Sequence, residues 1–285
     1  MFFDDALLEM ITYQSNLYSE QRSGTSINMN KNELTDFLAI ELSMGIVKMS
    51  AYTDYWSVQF RYDKIADIMP LKKYQEIRCY LYFVDNNSIS DDRFYKIRPV
   101  MDHVRRNFLK IQEERMSIDE MMVPYKGKKA GWQWGFKLFL RCVISGMVYD
   151  FMPYGGDDTF RDIAFDEQEE TFGMSEQVVI ALSKTISKPI CSILYFDNFF
   201  CSPDLVSYLR DVKEILSPGT LRINRVRNCP TKDEKELRTE GRGSYFQMVD
   251  NDQRVAIIQW FDNKVVRLCS SYVDAYPLSS IKRFV

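Results

Sequence analysis

The stretch that decides the fold runs from Met116 to Pro124 and reads Met-Ser-Ile-Asp-Glu-Met-Met-Val-Pro. Before it, from Met1 to about Gln112, apolar residues recur every three or four positions, which is the spacing of one face of a helix. The stretch itself is apolar and strand-like, and it carries Asp119. A second run of this kind, Ile190 to Phe196, is followed directly by Asp197. The sequence therefore predicts a helical region followed by an α/β region, with an aspartate at the end of each of two strands.

Short apolar runs separated by turn residues predict further strands. The four runs are Phe136–Val143, Met147–Met152, Val255–Trp260 and Val265–Ser270. A turn that contains Gly146 makes the first two a hairpin. Helices are expected at Ser175–Ser187 and from Ser202 onward, where the serine caps the helix and Pro203 occupies its first turn. Helices before and after a strand are typical of an α/β unit.

Two local signals, one of charge and one of capping, carry further structural expectations. The segment from Gly155 to Glu176 contains eight carboxylates against the single basic residue Arg161. Dense like charge resists packing, so we expect this segment to be a solvated surface loop. In the helical region, Asn32 or Thr35 is expected to cap a helix that ends near Gly45.

Composition favours a soluble globular protein. Of the 285 residues, 46% are hydrophobic, and the formal net charge of −3 means that any DNA contact must come from local basic patches. The six cysteines lack metal-ligand spacing, so we expect free thiols in a reducing compartment. No apolar run approaches the roughly 20 residues of a membrane span, and the start lacks a secretory signal pattern. We expect a soluble chain, cytoplasmic or nuclear.

The two aspartates are chemically suited to share a metal ion. An isolated carboxylate at a buried strand end is costly, and a divalent cation held between two of them removes that cost. Oxygen ligands alone favour Mg²⁺ or Mn²⁺, which are the metals of phosphodiester chemistry. Asp119 and Asp197 are therefore candidate metal ligands and candidate catalytic residues. The alternative is that each is an ordinary polar residue that opens a turn, because separation along a sequence carries no geometry.

Several short sequence motifs around these aspartates resemble motifs of the PiggyBac transposases and of the host proteins derived from them, and they occur in the same order. The motifs include Asp92–Pro99, Ser117–Pro124, Trp134–Phe139, Ser145–Phe151, Phe196–Phe200 and Gly219–Arg222. The resemblance implies an α/β (α+β) protein whose catalytic domain is of the DDE type and has the ribonuclease H-like fold. It also implies that Asp119 and Asp197 are the first two catalytic aspartates and that they bind Mg²⁺ or Mn²⁺.

The resemblance divides the chain into three regions. Residues 1–112 resemble the first part of the family's helical dimerisation and DNA-binding region. Residues 113–218 resemble an incomplete ribonuclease H-like core, and residues 219–285 resemble the family's inserted β-rich segment. The resemblance implies DNA and a second copy of the chain as partners, no association with membranes, and a nuclear location.

The chain departs from the family at the third catalytic carboxylate. The family's third aspartate lies in a Gly-Gly-Val-Asp motif, which nothing in this sequence matches. Four later aspartates align where the family has no catalytic residue: Asp250, Asp252, Asp262 and Asp274. We therefore expect a transposase-derived remnant without catalysis that retains DNA binding. Two alternatives stay open. One is an active DDE transposase or nuclease, either a fragment of a longer chain or an enzyme that borrows a carboxylate such as Glu120, and the other is a host protein-interaction module.

Three basic clusters are candidate phosphate contacts. Their members are Arg105, Arg106, Lys126, Lys128, Lys129, Arg222, Arg225 and Arg227. The alternative for each cluster is an ordinary solvated face.

A ribonuclease H-like sheet that lacks its last helix exposes apolar surface, so we also expect the isolated chain to dimerise or to aggregate.

Overall fold

The computed structural model describes residues 3–109, 113–124, 135–226, 229–252 and 254–278. The chain divides into two units, Met1–Asn107 and Phe108–Val285, and each has a hydrophobic core of its own. Among the described residues, no helix combines the length and hydropathy that crossing a bilayer requires.

The first unit is helical, as its apolar spacing predicts. Its helices are α1 (Asp5–Ser23), α2 (Lys31–Ile46), α3 (Asp63–Ala66), α4 (Leu71–Tyr80) and α5 (Arg98–Phe108), the last of which ends at the unit boundary. On α2, Leu34, Phe37 and Ile40 are buried in the core of this unit. Their spacing of three places them on one face of the helix.

The start of α2 differs from the prediction. Asn30 caps the helix, and it exchanges hydrogen bonds with Glu33 because each side chain accepts from the other residue's backbone N–H. The expected cap at Asn32 or Thr35 is therefore wrong, since this reciprocal pair satisfies the first amide groups earlier in the chain. Gly45 lies inside the last turn of α2, and the helix ends one residue later.

The second unit is built on one mixed sheet. Its strands are β1 (Arg115–Val123), β2 (Phe136–Val143), β3 (Val148–Pro153), β4 (Ile193–Phe196), β5 (Pro218–Thr220), β6 (Tyr245–Asp250), β7 (Val255–Phe261) and β8 (Val265–Ser270). Their order across the sheet is β3-β2-β1-β4-β5-β8-β7-β6. β4 is parallel to both β1 and β5, and the other neighbouring pairs are antiparallel.

Most of the predicted strands are confirmed, including the β2–β3 hairpin, whose turn contains Gly146 at a φ of +81°. β4 is shorter than predicted, because Pro189–Cys191 forms a turn of 3₁₀ helix before it. The edge strand β6 had no counterpart in the sequence prediction. Its apolar residues are interrupted by Gln247, and none of its side chains is buried, because it lies at the edge of the sheet.

Four helices accompany the sheet within the described residues. They are α6 (Glu167–Glu170), α7 (Met174–Ser183), α8 (Pro203–Asp211) and α9 (Glu234–Glu240). α7 packs against β2 and β3, and its six residues from Val178 to Ser183 are all buried. α8 begins as predicted, with the Ser202 hydroxyl accepting a hydrogen bond from the backbone N–H of Leu205.

The acidic segment is solvated at five of its eight carboxylates, as its charge predicts, but it is not a plain loop and one of its carboxylates is buried. It contains a 3₁₀ turn at Gly156–Phe160 and the short helix α6, and Glu169 is only 1% exposed. Glu169 accepts hydrogen bonds from Lys184 Nζ (2.5 Å), Lys213 Nζ (2.9 Å) and Tyr208 Oη (2.9 Å). Burial alone would raise the pKa of Glu169, but these donors outweigh it and lower the pKa to about 2.

Gly219 sits where β5 crosses the core. It pairs with Phe196 of β4 and with Cys269 of β8. A methyl group added at its Cα would lie 2.9 Å from the Phe196 ring and 2.9 Å from Cys201 Sγ. Both neighbours are buried, so they have little room to move away. Close approach of β4 and β5 therefore requires glycine at this position.

Replacing Gly219 with alanine should destabilise the second unit by about 1–3 kcal/mol, the usual cost of overpacking a core. Urea unfolding monitored by tryptophan fluorescence and circular dichroism measures it. The matched control is Gly45→Ala, because a methyl group there meets nothing within 4 Å. That control should be neutral or stabilising, since alanine favours the helix. Equal loss in both variants would contradict the crowding at Gly219.

Glu169→Gln should remove part of the chain's acid sensitivity. The folded-state pKa of Glu169 is lowered from 4.5 to about 2, so its contribution is present above pH 4.5 and lost as the pH falls towards 2. In the parent chain, lowering the pH from 4.5 towards 2 should reduce the free energy of unfolding by on the order of 2–3 kcal/mol. Glu169→Gln should be less stable at pH 7 and should lose less on acidification. Glu170→Gln, an exposed neighbour, should behave like the parent. Chemical denaturation between pH 7 and pH 2.5 measures all three.

Candidate active site

The parallel pairing of β1 with β4 brings the two candidate aspartates together. Arg115 pairs with Ile193, and the register continues to Ile118, which pairs with Phe196. Asp119 and Asp197 are the next residue on each chain, so they lie side by side on strands that run roughly 4.8 Å apart. The structure thus supplies the geometry that spacing along the sequence cannot supply.

The environment of Asp119 differs from the expected buried strand end. β4 stops before Asp197, but β1 continues past Asp119 to Val123, because the whole of that stretch pairs with β2. Both aspartates are exposed to solvent. The expectation that burial makes these carboxylates costly is therefore wrong. Their exposure instead leaves a metal ion free to keep several of its water ligands, as Mg²⁺ usually does.

An open cleft of about 430 Å³ lies over the two aspartates. Residues of β1, β4, β5 and β8 line it, and they include Ser117, Asp119, Tyr195, Asp197, Thr220 and Leu268. Most of the surface that lines the cleft is apolar, and the two carboxylates are among the polar groups that line it.

Local backbone hydrogen bonds orient each carboxylate. Oδ1 of Asp119 accepts from the N–H of Glu120 at 2.8 Å, and Oδ1 of Asp197 accepts from the N–H of Phe199 at 2.9 Å. The second bond closes an Asx turn immediately after β4. One oxygen of each carboxylate is thereby held by a backbone N–H.

Glu120 does not join this pair. Successive side chains of a strand point to opposite faces of the sheet, so Glu120 projects away from Asp119. Its Oε1 binds Lys137 Nζ at 2.9 Å. Within the described residues, no group of three or more His, Cys, Asp or Glu side chains is arranged to hold a metal ion. The described chain thus offers two carboxylates, which suit a hard cation completed by water or by substrate phosphate.

Cys142 is the thiol nearest to this site in the β-sheet register. It pairs with Ser117, which lies two residues before Asp119 on β1, so Cys142 is diagonally across from Asp119. Burial raises the pKa of the Cys142 thiol, and the carboxylate of Asp119 raises it further. The thiol is therefore protonated at neutral pH in the metal-free chain. The two aspartates supply oxygen donors, which suit Mg²⁺ or Mn²⁺.

The predicted DNA-binding residues fall into different settings. Arg222 is exposed beside the cleft, and its Nε donates to Asn198 Oδ1 at 3.1 Å, next to Asp197. Arg225 is half-buried and donates to the carbonyl oxygen of Cys201 at 2.8 Å. Arg105 and Arg106 lie on α5, in the first unit, where Arg105 is half-buried and Arg106 is exposed. The remaining four lie outside the described residues: Lys126, Lys128, Lys129 and Arg227.

Sequence reasoning missed Lys137 at this site. Lys137 is the second residue of β2 and pairs with Met122, so it lies diagonally across from Glu120. Gly135, at a φ of +98°, packs so closely on Val123 that a Cβ would lie 2.0 Å from its carbonyl oxygen, which closes the start of β2 onto β1. The available sequence signal for Lys137 was one basic residue at the start of an apolar strand. Its contact with Glu120 can be recognised only once the register between β1 and β2 is known.

A family model described as Transposase IS4 matches residues 1–284 of this chain. The chain belongs to this transposase family. Human PiggyBac transposable element-derived protein 2 is 28% identical to it over 298 residues, covering 99% of this chain and 49% of that protein. Human PiggyBac transposable element-derived protein 3 is 25% identical over 299 residues, covering 100% of this chain and 49% of that protein. The chain thus spans about half the length of these relatives.

A solved structure supports the fold of this transposase-family chain. The piggyBac transposase in a synaptic complex with hairpin DNA, determined by cryo-electron microscopy, matches 99% of this chain and 61% of its own with a TM-score of 0.75. At 19% identity the match establishes the fold alone. The predicted relationship to PiggyBac transposases is confirmed, and so is the predicted α/β fold with a helical N-terminal region and a ribonuclease H-like sheet.

Proposed function

We propose that this chain is a transposase-derived DNA-binding protein that binds a divalent metal between Asp119 and Asp197 and is not by itself an efficient nuclease. The observation that carries the proposal is the β1–β4 register, which sets the two aspartates side by side at the edge of an open cleft. Two carboxylates bind a metal ion weakly, whereas efficient two-metal phosphodiester chemistry needs further fixed ligands.

The metal-binding part rests on the donor set. Oxygen atoms of Asp119 and Asp197 suit Mg²⁺ or Mn²⁺, and one or two carboxylates together with substrate phosphates are the usual protein share of an Mg²⁺ site. When bound, such an ion supplies Lewis-acid activation of a phosphate or of water. The chain's own contribution is to hold the two carboxylates side by side in an open cleft.

The DNA-binding part rests on Arg222 and on the relatives. Arg222 is exposed and lies one hydrogen bond from Asn198, so a phosphate that it contacts would lie beside Asp197. The structural neighbour was determined in complex with hairpin DNA. With a formal net charge of −3, attraction to DNA must come from such local residues. The proposal includes a nuclear location and a second copy of the chain as partner, as in a DNA-bound dimer.

An active DDE transposase is the second candidate, and the same aspartate pair favours it. In that case the third carboxylate comes from residues other than Glu120, whose carboxylate is bound to Lys137. Cleavage of DNA hairpins distinguishes the two candidates, because a metal-binding remnant retains binding without turnover.

The first prediction of this proposal is a single weak Mn²⁺ site with a dissociation constant on the order of 0.1–1 mM, the range of sites with few carboxylates. Titration calorimetry should detect it in the parent chain and lose it in an Asp119→Ala, Asp197→Ala double variant. Asp157→Ala with Asp162→Ala removes two exposed carboxylates of the acidic segment and is the matched control. Equal binding by parent and site variant would refute the shared site. Metal-dependent cleavage of a DNA hairpin by the parent alone would establish the transposase instead.

The second prediction concerns salt. Arg222→Ala should weaken binding to a DNA duplex and reduce the slope of log K against log salt concentration by about 0.9, the value for one lost phosphate contact. The matched control is Arg242→Ala, because the Arg242 guanidinium already pairs with Asp262. Fluorescence anisotropy between 50 and 250 mM salt measures both, a range chosen so that the slope is well defined. A parent slope near zero would exclude DNA binding and favour the protein-interaction module.

A further inference from the structure

The loop that carries Asp197 also carries Phe199, whose ring lies near two cations. Phe199 donates its backbone N–H to Oδ1 of Asp197 at 2.9 Å, so any movement of Phe199 moves the hydrogen-bond donor that orients this carboxylate. The Phe199 ring faces Lys137 Nζ, 5.4 Å from its centroid, and Arg222 Cζ, 5.8 Å from its centroid. Both distances are within the range of cation–π attraction. Two cations, one on β2 and one just after β5, thus lie near a single ring, which also packs edge-on against Phe200.

Of these two cations, Lys137 is held by a carboxylate, whereas Arg222 is held by the neutral side-chain amide of Asn198. The Lys137 ammonium group forms a 2.9 Å ion pair with Glu120 and lies 5.6 Å from the ring centroid of Phe139 and 5.9 Å from that of Tyr154. The Lys137 side chain is 33% exposed and that of Glu120 is 25% exposed, so water screens the group only in part. Phe139 is fully buried in the sheet core. Lys137 therefore connects the rigid β1–β2 pair to the Phe199 ring.

We propose that Lys137 is a positioning residue for Asp197, acting through the ring of Phe199. The contacts run from Glu120 on β1 to Lys137 on β2, then to Phe199, and finally through its N–H to the carboxylate of Asp197. Lys137 itself does not bind the metal. The inference rests on the proposed function only in giving Asp197 a metal ion to bind, since the positioning is a property of the metal-free chain.

Exposure and charge pairing assign this role to Lys137 rather than to Arg222. Arg222 is exposed and is the group that a phosphate would engage, which would draw it away from the ring. Lys137 keeps its place because Glu120 neutralises it on the inner side. Phe199 can therefore stay fixed when DNA is bound, and the orientation of Asp197 does not depend on whether Arg222 contacts a phosphate.

The test uses the full chain without metal first. Lys137→Met preserves the length of the side chain and removes its charge, Lys137→Arg restores a cation, and Phe199→Leu removes the ring. Lys188→Met, an exposed lysine at the opposite end of β4 from Asp197, is the matched control. The first readout is hydrogen exchange of the residue 199 amide by NMR. The second is the Mn²⁺ dissociation constant by calorimetry. Amides of β7 and β8 report whether the sheet as a whole is unchanged.

We expect Lys137→Met to speed exchange of the residue 199 amide about three- to tenfold, the scale of losing a partly screened cation–π contact. Lys137→Arg should restore the parent rate to within about twofold, and Lys188→Met should have no effect. Adding Lys137→Met to Phe199→Leu should change little, because the cation then has no ring to hold and the two effects are coupled. This non-additivity separates positioning from a general loss of stability, which would add.

The outcomes separate this inference from the proposed function. Unchanged exchange in Lys137→Met, or additive effects in the double variant, would overturn the positioning role even if Mn²⁺ binds. Faster exchange with no Mn²⁺ binding by the parent would support the positioning role and remove the metal site. If Lys137→Met does not fold, Lys137→Gln takes its place, because it also removes the charge but keeps a polar side chain at this half-buried position; faster exchange supports the positioning role and unchanged exchange overturns it.

Discussion

The pairing of β1 with β4 is the constraint on which the candidate site depends. The two strands come from distant parts of the chain, and β4 contributes only the four residues Ile193–Phe196. A shift of one residue in this register would turn Asp197 to the other face of the sheet, because side chains alternate along a strand. The register is held on the far side by β5, which approaches closely enough for contact only because Gly219 has no side chain. A core glycine thus contributes to the site without touching it.

Those parts of the fold that depend on local sequence could be predicted. The β2–β3 hairpin was visible from two apolar runs around a glycine turn, and α8 from Ser202 and Pro203 at its start. The missed cap of α2 was a local error, because Asn30 and Glu33 lie three residues apart. The acidic segment was misjudged for another reason, which is that long-range partners are invisible in a local pattern. Glu169 is buried because Lys184 and Lys213, well beyond the acidic segment, supply its counter-charges. Local charge density could not reveal them.

The candidate site likewise has residues that the sequence could predict and one that it could not. Spacing along the sequence left Asp119 and Asp197 open between a metal site and two turn residues, and it was the resemblance to PiggyBac transposases that brought them together. The strand register then supplies the geometry. Neither route pointed to Lys137, because its meaning lies in its diagonal position relative to Glu120 and in its contact with Phe199. Strand alternation also excludes Glu120 from the aspartate pair, because its side chain points away from Asp119 and binds Lys137.

An open pair of carboxylates has a consequence for how metal and DNA would bind together. Asp119 and Asp197 are exposed, so an ion between them keeps several waters and gains little from the protein alone. A phosphate held by Arg222 beside Asp197 would replace some of those waters with a charged oxygen ligand, and the ion in turn would screen the carboxylates from the phosphate. Each ligand then favours the other by the same factor, as linkage requires. The proposed DNA binding and the proposed metal binding are therefore two halves of one equilibrium. A loop fixed by Lys137 before either ligand arrives lowers the ordering cost of both.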